Sequence, residues 1–192
     1  MKTWPLLALF AAVLMVGAPA AAQELKLNAP VERKIDPKLK EKRARDAVNG
    51  YYQALIAGQY DQAGSFAHPD AIEPVRKKLL ELIQKAPAAK RGSTLKNLGV
   101  ADVVSLQSQT TAQFFNSYAR STYATTIQAL AKPERKAHIK ITKVRCDPSK
   151  SLCEVTFDLY QTLDNGKEVH GTNKVRVADV DGRWLVGEGI GR

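Results

Sequence analysis

Few side chains in this chain of 192 residues have types and spacing that could do chemistry: two cysteines, three histidines, and one acid set among apolar strand residues. Cys146 and Cys153 bracket "DPSKSL". Zinc would need further ligands, and His68, His138 and His170 show no motif spacing with the pair. Redox-active pairs sit closer, as C-x-x-C at a helix start. Asp147-Pro148 suits the first two places of a type I turn. A hairpin there puts the flanking cysteines opposite each other, at a separation a disulfide can span. The expectation is a structural disulfide and no metal.

Glu188 alternates with Trp184, Val186 and Ile190, which makes it the one acid expected on an inward strand face. Burial makes a carboxyl hold its proton more tightly, so a covered Glu188 could serve as acid or base. The plainer expectation leaves it solvated at an open sheet end, between Gly187 and Gly189. His170 falls with Asp158 and Tyr160 on the outer, polar face. His68, beside Pro69 at a helix entry, reads as a cap or loop residue, and His138 opens a strand. No phosphate-binding glycine loop, zinc signature or nucleophile elbow is present, and no cofactor is implied.

The elements that must position these residues divide the chain in two. Asp36-Pro37 reads as an N-cap followed by proline at the first helical position. Leu39, Ala44, Val48, Tyr51, Tyr52, Leu55 and Ile56 then recur at helical spacing until Gly58. A short helix "QYDQAGSFA" follows. Asp70 is expected to cap a third, "AIEPVRKKLLELIQKA", with Pro74 in its first turn. Ala86 to Gly99 reads as a basic loop, and Gly99 to Leu106 as a short strand or helix. A long helix over Thr110 to Ala131 is expected to kink at "RSTYATT", which is poor in strong helix formers.

The last third holds four β-rich runs: "HIKITKVRC", "CEVTFDLYQTL", "EVHGTNKVRVADV" and "RWLVGEGI". Val155, Phe157 and Leu159 share a face, as do Val169, Val175 and Val177. Matching those odd-numbered sets requires an odd-length loop around Gly166, of three or five residues. Asp181-Gly182 suits a two-residue turn that sets Val177 beside Val186. Ile139 and Ile141 change phase to Val144, which predicts a bulge. The class is α+β: helices packed on an antiparallel meander.

The N-terminus indicates a compartment. Lys2 and the apolar run Leu6 to Val16 precede "GAPAAAQ", a pattern read as a signal peptide over 1–22 with cleavage after Ala22. The mature chain is expected in the periplasm or outside the cell, where disulfides persist. Residues 23–35 read as a flexible lead-in and 36–192 as a single domain. Cleavage removes Lys2 and takes the formal net charge from +10 to +9. Arg33 to Asp46 concentrates the excess in Arg33, Lys34, Lys38, Lys40, Lys42, Arg43 and Arg45. The plainer reading is a solvated helix start, and the other is contact with an anionic membrane or polymer. Nucleic acid is not an expected partner in that compartment.

"YYQALIAGQYDQAGSFA" resembles the opening of the NTF2-like (cystatin-like cone) superfamily: an aromatic, two apolar residues, then G-x-Y-x-x-A. "VRVADVDGRWLV" is similar to that superfamily's last hairpin, with Trp184 under the helices. The resemblance spans Asp36 to Ile190 and implies a curved sheet with a pocket beneath helices. Candidate pocket residues are Phe157, Leu159, Val175, Val177, Trp184, Val186, Tyr51 and Tyr118. The superfamily includes isomerases, polyketide cyclases, dehydratases and secretion-system components. The leading expectation is an exported, non-catalytic domain that binds a small apolar molecule or an envelope protein, or pairs with a second copy of itself. A periplasmic phospholipid carrier and an isomerase or cyclase using Glu188 are the alternatives.

Overall fold

The computed structural model describes residues 36–130, 137–163 and 165–187, with only the helix backbone over 123–130. The expected leader and lead-in, Arg33, Lys34 and Glu188 lie outside the described residues. The elements run α1 Pro37–Ile56, α2 Tyr60–Ser65, α3 Pro69–Lys85, α4 Ala88–Asn97, α5 Val103–Ser108 and α6 Thr111–Leu130. Strands β1 Ala137–Cys146, β2 Leu152–Thr162, β3 Glu168–Val180 and β4 Arg183–Gly187 follow. The α+β class is therefore as the sequence predicts.

Helix α1 begins where Asp36 accepts from the Lys38 amide at 2.9 Å, and it gives way to Gly58 at φ 70°. It has two buried faces. Ala44, Ala47 and Val48 pack on the sheet, Ala54 and Leu55 pack on the other helices, and Tyr51 and Tyr52 touch both clusters. Contacts from α1 reach all four strands, including the outer two, β1 and β4. A four-stranded sheet can touch one helix with both outer strands only by curling around it.

The strands pair antiparallel in the order β1-β2-β3-β4. Thr162 pairs with Glu168 across five residues, with Gly166 at φ 76°. Val180 pairs with Arg183 around Asp181 (φ 53°) and Gly182 (φ 83°), and this turn sets Val177 opposite Val186. Two positive φ values in a two-residue loop match the right-handed twist of the flanking strands. The register of β1 shifts between Ile141 and Lys143, and the extra residue is Thr142. An extended segment ties the helices to the sheet. Val186 donates to the Phe66 carbonyl at 2.7 Å and accepts from the His68 amide at 2.8 Å, so Ala67 bridges β4 in parallel.

The helical half corrects the sequence reading in four places. The α3 cap is His68, whose Nδ1 accepts from the Asp70 amide at 3.1 Å, so the helix starts at Pro69. Pro74 thereby falls beyond the first turn, inside the helix. Proline has no N–H, so the Asp70 carbonyl one turn back loses its usual helical donor. Residues read as a basic loop form α4, because "AAKR" is strongly helix-forming and Leu95 and Leu98 gain burial. Finally, α6 is continuous through "RSTYATT". It opens with a reciprocal capping box: the Gln113 amide donates to Thr110 Oγ1, and the Thr110 amide to Gln113 Oε1.

Candidate functional site: the inner face of the sheet

Alternation places one side chain in two of each strand against α1. On β2 these are Cys153, Val155, Phe157, Leu159 and Gln161, all buried. Val175 and Val177 of β3 and Trp184 and Val186 of β4 complete a single cluster with them. The Tyr52 ring lies 4.5 Å from that of Phe157, and Tyr51 meets Tyr52 edge-on at 5.1 Å. Six of the eight residues expected to line a pocket thus stand together on the sheet. Tyr51 sits at the boundary with the helical cluster. Tyr118 lies inside that second cluster, stacked on Phe114 at 5.9 Å, and burial raises the pKa of its hydroxyl.

Three polar side chains interrupt this apolar wall. Gln161 is buried beside Leu159, and Asn173 pairs by register with Phe157 while donating to the Gly171 carbonyl at 3.0 Å. The third is Asp179, directly opposite Trp184. Asp179 Oδ1 and Trp184 Nε1 are both out of contact with water, and neither has a hydrogen-bond partner. An unpaired donor and an unpaired acceptor on neighbouring strands each carry a desolvation cost of about 1–3 kcal/mol. A guest group that accepts from the indole and donates to the carboxylate would remove both. Sequence reasoning misses Asp179 as an inward acid, although the Val175, Val177 alternation leads straight to it.

Other expected residues lie elsewhere. Cys146 and Cys153 are directly paired across β1 and β2 and form the disulfide. Within the hairpin Asp147 Oδ1 accepts from the Ser149 hydroxyl at 2.7 Å and from the Ser149 amide at 2.8 Å, and these bonds, the hydroxyl's first, hold its carboxyl below the usual range. His138, Tyr160 and His170 form a stacked row on the outer face, with ring centroids 4.8 and 5.0 Å apart. His68 is 7% exposed, and burial pushes its pKa down against the opposing pull of Asp70.

The basic helix start is only partly a surface. Lys38, Lys42 and Arg43 are exposed and Arg45 is half-buried, but Lys40 is buried. Its Nζ donates to the Lys150 carbonyl at 3.1 Å and ties α1 to the disulfide hairpin. Lys42 pairs with Asp46 at 2.7 Å, one turn on. Among the described residues no group of three or more His, Cys, Asp or Glu could hold a metal ion. Nor is any described helix long and apolar enough to cross a membrane.

No protein-family model matches the chain, and no curated protein matches it. Among solved structures it is similar to the crystal structure of a candidate polyketide cyclase from Xanthomonas campestris pv. campestris. That similarity is 14% in sequence with a TM-score of 0.34, over 77% of this chain and 90% of the other. At those values it carries no weight for activity or ligand. Helices on a curved antiparallel meander are the layout expected of an NTF2-like cone, and this architecture rests on the chain's own strand pairing.

Proposed function

We propose that this protein is a non-catalytic binding domain that takes a small, mainly apolar molecule against the inner face of its sheet. The observation that carries the reading is the pair of unpartnered buried atoms Trp184 Nε1 and Asp179 Oδ1 within a mainly apolar wall. Apolar walls with a few convergent polar groups are how such ligands are held and oriented. A guest with one hydroxyl or primary amide on a hydrocarbon body meets both demands. The remaining polar side chains on the inner face of the described sheet, Gln161 and Asn173, are amides and do not titrate, which favours holding over turnover. Export supports the same reading. The disulfide and the N-terminal pattern fit an oxidising compartment, where a carrier or sensor meets small molecules outside the cytoplasm.

A Trp4→Phe background leaves Trp184 as the single tryptophan, since the chain has two. A medium-chain alcohol titrated into that protein should shift the Trp184 emission saturably, and the alkane of equal length should do so weakly. The absence of saturation with any medium-chain alcohol or primary amide would remove the proposal. The second reading, an acid-base enzyme, gains from the same couple because Asp179 places a carboxylate oxygen in an apolar wall. It predicts conversion of the bound guest, and Asp179→Asn would abolish that conversion without abolishing binding.

A further inference from the structure

The opposite face of the sheet has a different chemistry. Outward positions on β1 are His138, Lys140, Lys143 and Arg145, all exposed and none acidic. Two strands away, β3 turns Lys174 and Arg176 to the same side. The strand between them supplies two acids, and both are engaged. Glu154 lies 3.8 Å from Lys174 Nζ, and Asp158 accepts from Thr172 Oγ1 at 2.6 Å. Glu168, exposed at the start of β3, points the same way, so over β1 to β3 five Lys or Arg against three carboxylates leave an excess of two positive charges.

Lysines on an outer strand commonly guard its edge against pairing. That accounts for Lys140 and Lys143 but not for Arg176, which is paired on both sides, with Glu154 of β2 and Gly187 of β4. The cations form a two-dimensional array, about 10 Å across two strand spacings and about 7 Å between successive outward positions. A linear polyanion engages a single line of such an array, whereas a plane of anionic headgroups engages all of it. Lysine and arginine stems are long enough to reach a plane from a gently convex face. We infer that the outer face of the sheet is a docking surface for an anionic phospholipid bilayer. The contact is electrostatic and reversible, and it is separate from the guest site on the inner face.

Flotation of the full chain with vesicles tests this. Neutral phosphatidylcholine vesicles report any contribution of the apolar N-terminus, and vesicles with phosphatidylglycerol added report the charge. Binding to the anionic vesicles should be at least about tenfold stronger at ~50 mM salt, and most of that excess should vanish at ~300 mM. The pair Lys140→Glu and Lys174→Glu should lose the excess while keeping the circular dichroism spectrum of the parent. The pair Lys42→Glu and Arg43→Glu, on α1, should keep it. Equal binding to both vesicle types overturns the inference, as does an outer-face pair that binds like the parent. Loss only in the α1 pair would assign the contact to the helix start instead. Tight binding to heparin without binding to vesicles would replace the bilayer with a linear polyanion.

Discussion

At the scale of single residues, His68 does more than its type suggested. Its ring is buried, caps α3 with Nδ1, and must be neutral at that nitrogen to accept the Asp70 amide. Burial holds its folded-state pKa below the ordinary 6.5. As pH falls past that value the unfolded chain takes up the proton first, so the folded state loses stability; above it, the contribution is fully present. The melting temperature should therefore drop between about pH 7.5 and about pH 5.5, and drop less in His68→Asn, which can still cap. Equal pH slopes in the two proteins would remove this role. Gly50 is a second case. A Cβ there would lie 2.5 Å from Cζ of Phe66, so Gly50→Ala should destabilise by about 1–3 kcal/mol from overpacking, less up to ~1 kcal/mol of helix propensity. Thermal melts of the two proteins measure the net. The cap is local and legible from His68 beside Pro69, whereas the burial of its ring and the Gly50–Phe66 contact are not, because both depend on the segment 66–68 returning to the sheet edge.

At the scale of elements, the strands were read far better than the helices. The period of two, the bulge, the odd length of the loop around Gly166 and the two-residue turn follow from side-chain parity, since a slip by one residue would invert every face. Helical parity is more forgiving, and tertiary contacts decided there. Gly92 and the basic residues hid α4, yet Leu95 and Leu98 had a core to enter. Gly64 shows the same dependence on neighbours: a Cβ on it would stand 3.1 Å from the Ala112 carbonyl and 3.2 Å from the Phe115 ring. Its absence lets α2 lie close on α6. The β1–β2 hairpin carries its own test. Closing its eight-residue loop should stabilise by roughly 2.5 kcal/mol on the chain-entropy model. Cys146→Ser should then lower the melting temperature of oxidised protein by about 5–10 °C. An unchanged melt would show that the unfolded hairpin is held together without its bond.

At the scale of the whole molecule, one curled sheet presents two unlike faces. Parity alone predicted the apolar inner wall, and it placed Phe157, Leu159, Val175, Val177, Trp184 and Val186 together. It could not show that Trp184 Nε1 and Asp179 Oδ1, on directly opposed residues, would both be buried without partners, because that depends on the register across the Asp181-Gly182 turn and on what the helices cover. The central claim is that this wall holds a guest by that couple. Native mass spectrometry of protein purified without detergent, beside the double variant Trp184→Phe and Asp179→Leu, tests it most directly. The account predicts a small added mass on the parent protein, or one acquired on mixing with a medium-chain alcohol, and its loss from a variant that remains folded. A parent that stays bare in both settings, or a variant that carries the same added mass, would contradict it.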